Sequence, residues 1–325
     1  MMSLVFLLSK EMPSLGKAEL FSIAGNCSME DKEGHVFISK HRYKPMLERL
    51  AYTNIIGRLL FSCKTQKLED SIKSFPWSAV IRGTFRTRKI RLVKGPEKEV
   101  PSEPKLGSLI AGCLKRPKVV LKDPDHEILF MMMAEKVIVA ELLWENPKTF
   151  LQRKPHLRPE MHPSSLDPKI AKACINLLPG AKTIYDPFCG SGGILIEAQQ
   201  MDLKACGSDI DSKMLKRAEK NLAYYGRGHA RYRLFLKAAE DLDLKYKHIV
   251  TDLPYGKNTR SLDLQKTFGS FLCRLRKALG EGVVMIPHTL KHDNAIRKAG
   301  LNLKKEFTVY LHKSLSKKIL LLKSP

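Results

Sequence analysis

The sequence predicts an α/β protein in two parts. An α+β region runs to about residue 146, and a doubly wound, Rossmann-like sheet closed by an antiparallel hairpin runs from about 166 to the end. Three observations carry this. A dense run of prolines (Pro147, Pro155, Pro159, Pro163) punctuates the chain. Behind it, short apolar runs alternate with amphipathic ones, the mark of a parallel sheet covered on both faces. The last two apolar runs are joined by a turn too short for a crossover, so they must pair antiparallel.

At 325 residues the chain suits two domains better than one. Its 43% hydrophobic content is enough for packed cores and argues against disorder. The expected divisions are 1–65, 66–146, a linker over 147–165, and a sheet domain over 166–325. In the first part a strand is expected at 3–9 and a helix opening near Ser14 or Leu15. A long helix follows over 44–61, then a helix near Gly107 to Leu114. Strands are expected at 119–122 and 127–132, with a further run over 136–143. In the second part strands fall at 183–186, 205–209, 232–238, 247–252 and 282–287. Helices lie between and after them at 193–201, 212–224, 263–279 and 289–299, and the hairpin is 304–312 with 317–323.

Charge narrows the function. Lys and Arg number 57 against 33 acids, a net +24. A surplus of that size repels itself, and an anionic partner, most often nucleic acid, is the usual reason to keep it. Two stretches are basic without a single acid: 82–94, with Arg82, Arg86, Arg88, Lys89, Arg91 and Lys94, and 105–122, with Lys105, Lys115, Arg116, Lys118 and Lys122. Seven widely spaced cysteines contain no CxxC pair, which fits neither a disulfide framework nor a zinc site. A reducing, cytoplasmic compartment is expected. The apolar start lacks a basic n-region and stops at Lys10-Glu11, so it reads as a strand, not a signal peptide. No uncharged apolar run approaches the ~18 residues a membrane span needs.

Two motifs carry chemistry. The first is Asp186-Pro187-Phe188-Cys189-Gly190-Ser191-Gly192-Gly193, at the end of the first strand of the second part. Glycines there let the backbone turn sharply and approach a ligand. The helix behind offers its N-terminal N–H groups, and open α/β sheets bind ligands at this edge. The next strand ends in Asp209, placed to accept hydrogen bonds from ribose hydroxyls. A dinucleotide fingerprint would need a third glycine where Leu195 stands. Asp186 would also repel a pyrophosphate, but it suits the cationic end of S-adenosylmethionine.

The second motif is Asp252-Leu253-Pro254-Tyr255-Gly256, at the end of the fourth strand. An exocyclic base amine is a poor nucleophile because its lone pair is delocalised into the ring. Asp252 can accept its N–H, the Pro254 region can fix backbone carbonyls, and Tyr255 can stack on a base flipped out of its helix. No metal or covalent intermediate is required.

Together these segments, with Arg158 to Pro168 at the seam and Gly207 to Asp211, resemble the THUMP-domain RNA methyltransferases. The likeness is greatest to the archaeal and eukaryotic tRNA guanosine-10 N2-methyltransferase family. Val120 to Ile128 resembles the end of a THUMP domain. The resemblance implies a class I, adenosylmethionine-dependent methyltransferase domain with its C-terminal hairpin. Ahead of it would lie a ferredoxin-like piece at 1–65 and a THUMP-like piece at 66–146, which grip tRNA through Arg82, Arg86, Arg88, Lys89, Lys105, Lys115, Arg116 and Lys118. Cofactor contacts are implied for His162, Ser164, Ser165, Asp186, Phe188, Gly190, Gly192, Asp209, Asp211, Glu240 and Asp252, and catalysis for Asp252, Pro254 and Tyr255. Asp167 followed by Pro168 also reads as a helix cap. Some relatives work with a small zinc-containing activator subunit. In this sequence Leu253 replaces a proline of the family's tetrapeptide, a variant shared with enzymes that modify guanosine elsewhere in tRNA. Methylation at another tRNA position or on ribosomal RNA, a DNA amino-methyltransferase, and a silent RNA-binding protein are the other readings. The basic first part argues for RNA, and the intact acids argue for catalysis.

Overall fold

The computed structural model describes residues 3–31, 34–40, 42–92, 101–162, 165–226, 232–242, 245–254, 264–278, 280–312 and 315–325. The chain divides into two compact units. One comprises Met1–Pro13, Ala24–Glu48 and Thr53–Asn146; the other comprises Ser14–Ile23, Arg49–Tyr52 and Pro147–Pro325.

The elements of the N-terminal half are β1 (Leu4–Leu8), α1 (Pro13–Ala24), β2 (Ser28–Met29), β3 (Val36–Ser39), β4 (Thr53–Lys64), α2 (Leu68–Ser74), β5 (Thr84–Arg91), α3 (Glu103–Ala111), β6 (Lys118–Val119), β7 (His126–Met132) and β8 (Lys136–Glu145). All eight strands form one sheet in the order β2-β3-β1-β4-β8-β7-β5-β6, which runs without a break across position 65. One face packs Phe85, Ile128, Phe130, Val137 and Val139 against Leu68 and Ile72 of α2, Leu106 and Ile110 of α3, and Trp77. The other face buries Val5, Leu129, Met131, Ile138 and Ala140.

Two expectations fail in this unit. The helix expected over 44–61 is a 3-10 turn at Pro45–Arg49 followed by β4. This strand lies inside the sheet between β1 and β8, so Ile55 and Ile56 are buried on opposite faces. A strand covered on both faces shows no alternation, and its apolar run is hard to tell from a buried helix. The strand expected at 119–122 is only the two-residue β6; Leu121 beyond it is exposed.

The second half follows the expected rhythm: α4 (Pro168–Asn176), β9 (Thr183–Asp186), α5 (Gly193–Gln200), β10 (Lys204–Asp209), α6 (Ser212–Tyr225), β11 (Tyr232–Leu236), β12 (His248–Asp252), α7 (Leu264–Ala278), β13 (Glu281–Pro287), α8 (Asp293–Lys298), β14 (Asn302–His312) and β15 (Leu315–Lys323). The sheet order is β11-β10-β9-β12-β13-β15-β14. The first five of these strands are parallel, β15 runs antiparallel to β13, and β14 with β15 forms the hairpin. Strand order reverses between β9 and β12, the crevice where such sheets bind ligands. On one face Ile249, Val284, Ile286 and Leu320 pack against Phe268, Phe271 and Leu272 of α7. On the other, Cys174 of α4 reaches Met285 of β13, with Sγ to Sδ at 3.9 Å.

The proline-rich stretch after residue 146 clusters with this unit and runs as two 3-10 turns, Thr149–Arg153 and Pro155–Leu157. Arg153 makes a two-pronged ion pair with the fully buried Glu197 of α5 at 2.7 and 2.8 Å. Arg158, also buried, donates to the carbonyl of Arg153 at 2.9 Å. A charge this deep is tolerated only with such partners. The unit also recruits α1: the carboxylate of Glu19 accepts the backbone N–H groups of Ala51 and Tyr52, and the side-chain amide of Asn176 in α4, at 2.7 to 2.9 Å.

Candidate active site

The ends of β9, β10 and β12 surround a cavity of about 570 Å³. Each strand delivers one acid there: Asp186, Asp209 and Asp252 are the last residues of their strands and all line the cavity. Phe188, Gly190, Asp211, Glu240, Pro254, His162 and Ser165 line it too. The fold thus gathers residues that the sequence spreads over almost a hundred positions. Gly192 is not a lining residue. Its positive φ of 85° serves the turn into α5, where a side chain would press on Ala218. Ser164 and Tyr255 lie outside the described residues.

The three acids differ in their surroundings. Asp186 is buried; its Oδ1 accepts the hydroxyl of Thr251 at 2.6 Å and the N–H of Phe188 at 3.1 Å. Burial pushes its carboxyl up to about 8, against those two hydrogen bonds, and Asp252 and Asp209 nearby raise it further. Among the described residues no cation forms an ion pair with it. A buried carboxyl in that state favours a ligand that brings a positive charge. Asp209 accepts the N–H of Gly190 at 2.9 Å and of Asp211 at 3.0 Å, one on each oxygen, which aims the carboxylate across the crevice with lone pairs left for hydroxyl donors. Burial raises it as well. Asp211 caps α6, accepting the N–H of Lys213 at 2.8 Å. Asp167 caps α4 with Pro168 behind it, as expected.

The crevice wall is pinned by contacts that no motif announces. The side-chain amide of Asn221, buried in α6, donates to the carbonyls of Ser191 and Glu160 at 3.0 Å, and its oxygen accepts the N–H of Glu160 at 2.9 Å. One side chain therefore ties the glycine turn to the seam segment that carries His162 and Ser165. Ser165 and Ser191 are joined through their hydroxyls at 2.8 Å. Burial, with the nearby Arg217, lowers His162 from its ordinary value.

The departure at Leu253 has a local reason. Its side chain is fully buried in the core and its N–H donates to the carbonyl of Met285 at 3.0 Å. A proline could not make that bond. Asp252 has a partner that sequence reasoning missed: the ammonium of Lys317, from β15, contacts both carboxylate oxygens, with Oδ1 at 2.6 Å.

Of the basic residues expected to hold tRNA, Arg86 and Arg88 are engaged within the fold. Arg86 pairs with Glu127 at 2.5 Å, and Arg88 pairs with Glu127 at 2.7 Å and Glu145 at 3.0 Å. Lys105 meets Glu69 at 2.8 Å on the open surface. Arg82, Lys115, Arg116 and Lys118 are exposed. The backbone N–H of Lys89 is held by Glu103 at 2.6 Å.

Comparison with known proteins bears on these arrangements. The UPF0020 family, an RMKL-like methyltransferase domain, matches residues 155–317. The tRNA (guanine(10)-N2)-dimethyltransferase of Methanothermobacter thermautotrophicus is 31% identical over 98% of this chain and 98% of its own length. The enzyme of the same name from Pyrococcus abyssi is 30% identical over 76% of this chain and 77% of its own. Among solved structures, TrmN from Thermus thermophilus is similar in fold, with a TM-score of 0.54 at 19% identity, covering 99% of this chain and 100% of that one.

Proposed function

We propose what this chain does from the premise that it belongs to the tRNA (guanine(10)-N2)-dimethyltransferase family, as its full-length relative places it. It is an S-adenosylmethionine-dependent enzyme that methylates N2 of a guanosine in tRNA. Position 10 and the second methyl group follow the relatives' names. The observation that carries the chemistry is the convergence of Asp186, Asp209 and Asp252 on one cavity, each from the end of its own strand.

The residues present fit the cofactor. Asp186 is a buried carboxyl with no ion-pair partner among the described residues, and Asp209 is a hydrogen-bond acceptor aimed into the crevice. Adenosylmethionine, when bound, supplies an electrophilic methyl group on a sulfonium. In this reading Asp186 holds the cationic methionine end and Asp209 accepts the ribose hydroxyls. Phe188, Gly190 and Asp211 line the floor, Glu240 stands at the adenine, and His162, Ser164 and Ser165 close the seam side. Asp252 accepts an N–H of the guanine amino group and so turns the nitrogen lone pair out of conjugation. Pro254 stiffens the strand end and Tyr255 stacks on the flipped base. Positioning of this kind is worth several kcal/mol of barrier, on the order of 7–11 for well-oriented reactants.

The first unit grips the tRNA. Its segment 66–146 is the THUMP-like piece, with Arg82, Lys89, Lys105, Lys115, Arg116 and Lys118 on phosphates; Arg86 and Arg88 contribute mainly to the fold. A small zinc-containing activator subunit completes the enzyme, and the edge strand β11 supports this, because Leu236 on it and Ile210 beside it are exposed. The reaction belongs to the cytoplasm, where seven free cysteines are at home.

The test is methyl transfer from labelled adenosylmethionine to unmodified tRNA transcripts, with the product nucleoside mapped. N2-methyl- and N2,N2-dimethylguanosine at position 10 is the expected product. Methylation of another nucleotide, of ribosomal RNA or of duplex DNA in its place would overturn the reading. Full activity of the single chain would remove the activator subunit from it.

A further inference from the structure

Lys317 is the one lysine among the described residues that the fold buries, at 1% exposure. Its ammonium contacts both oxygens of Asp252. The sheet explains how it gets there. Asp252 of β12, Met285 of β13 and Ile319 of β15 stand in register, and Lys317 lies two residues along β15, opposite Pro287. Side chains two apart on a strand share a face. Lys317 therefore shares the face of Asp252, two strand spacings or ~10 Å away, and a four-carbon stem spans that gap along apolar surface. The cavity is lined by Asp252 but not by Lys317. The carboxylate stands between the lysine and the space where a base would lie.

We infer that Lys317 is a positioning residue: it locks Asp252 as an ionised, acceptor-only group, so that the site takes a base edge presenting an N–H and refuses one presenting a carbonyl. This rests on the role given to Asp252 above. Ionised, a carboxylate only accepts; protonated, it also donates and would welcome a carbonyl oxygen. Burial holds Asp252 above its ordinary value and Lys317 below its own, and the ion pair is what opposes both shifts. Among the described residues, the titratable groups facing the pair are Cys174 from α4, whose thiol burial pushes well up, and Asp186 at the end of β9. Neither can replace the lysine as a source of positive charge. Stability alone is a poor reason for such a pair, because a buried ion pair is often no better than apolar packing.

The experiment uses the full chain carrying K317M, K317R or D252N/K317M. Carbon-13 NMR of the Asp252 carboxyl in the cofactor-free protein should show it ionised at neutral pH in wild type and K317R, and protonated there in K317M. With tRNA, K317M should lose on the order of 100-fold in kcat at pH 7, the usual effect of disabling one preorganised polar group, and recover as pH rises. K317R should restore the wild-type profile. Cofactor Kd should change little. Adding K317M to D252N should cost nothing further, and this double variant, with no buried charge left unpaired, keeps the test alive if K317M alone does not fold. An Asp252 that stays ionised in K317M, a pH-independent loss, or an additive double variant would overturn the inference while leaving the function standing. A wild-type chain that transfers nothing to tRNA, or a fully active D252N, would instead break the functional reading beneath it.

Discussion

Asp186 and Asp252 end neighbouring strands of one sheet, the first buried and the second mostly so, and the fold treats them in opposite ways. Asp252 carries its own cation, Lys317, wherever the ligands are. Asp186 has two neutral hydrogen-bond donors and no ion pair among the described residues, and burial raises its carboxyl to about 8. One charge is completed by the chain and the other is left for a ligand to complete. The same division recurs among the arginines and lysines of the first unit. Arg86 and Arg88 are neutralised by Glu127 and Glu145, while Lys115, Arg116 and Lys118 are exposed and have no acidic partner among the described residues. A binding group is thus told from a structural one by where its counter-charge comes from.

The comparison breaks most visibly at Asp252. D252N should lower methyl transfer about 10²- to 10³-fold, the usual effect of losing one preorganised polar group, with cofactor affinity nearly unchanged. Equal losses in rate and cofactor binding would show that the two acids share one job. D186N should do the reverse: cofactor affinity, by calorimetry, should fall roughly 10- to 100-fold, the worth of a hydrogen-bonded charge. In wild type that affinity should rise with pH, up to about tenfold per unit, and level off near 8, because below that value binding must expel the proton from Asp186.

Stability gives a subtler signature. The folded state holds the Asp186 proton more tightly than the unfolded chain does, so this group's contribution is full below about 4 and is lost as pH rises toward 8. The thermal midpoint of the cofactor-free protein should therefore decline over that window in wild type and decline less in D186N. The smallest effect is expected at the surface. K115E/R116E/K118E should weaken tRNA binding several-fold and flatten its salt dependence by about two to three ion equivalents. R86A/R88A should leave that slope nearly intact and lower the unfolding midpoint. Equal slopes for both sets would erase the distinction in the first unit.

What the sequence disclosed is what lies close together along it. Asp186 to Gly193, Asp209 and Asp252 could be found because each motif sits at the junction of a strand and the turn after it, and turn chemistry is local. The parallel strands of the second unit were legible from their alternation with helices. β4 was not, because a strand covered on both faces loses the period that would identify it. Lys317, Asn221 and the Arg153–Glu197 pair escaped for a different reason. Each gains its meaning from a residue between 30 and 65 positions away, brought near only by the sheet. A lysine opening an apolar strand, and two arginines among prolines, look from sequence alone like solvated charge.

The helix α1 carries a consequence for how the protein is made. Its residues 14–23 belong to the same compact unit as Pro147–Pro325, fastened by Glu19 to Ala51, Tyr52 and Asn176. As a ribosome releases the chain, this helix emerges before α4 and must wait some 150 residues for it to arrive. A gene fragment starting at 147 would encode a unit missing one of its own walls, with the amide of Asn176 deprived of its acceptor. The seam of prolines is where the chain looks divisible, and yet the piece beyond it cannot be cut out whole.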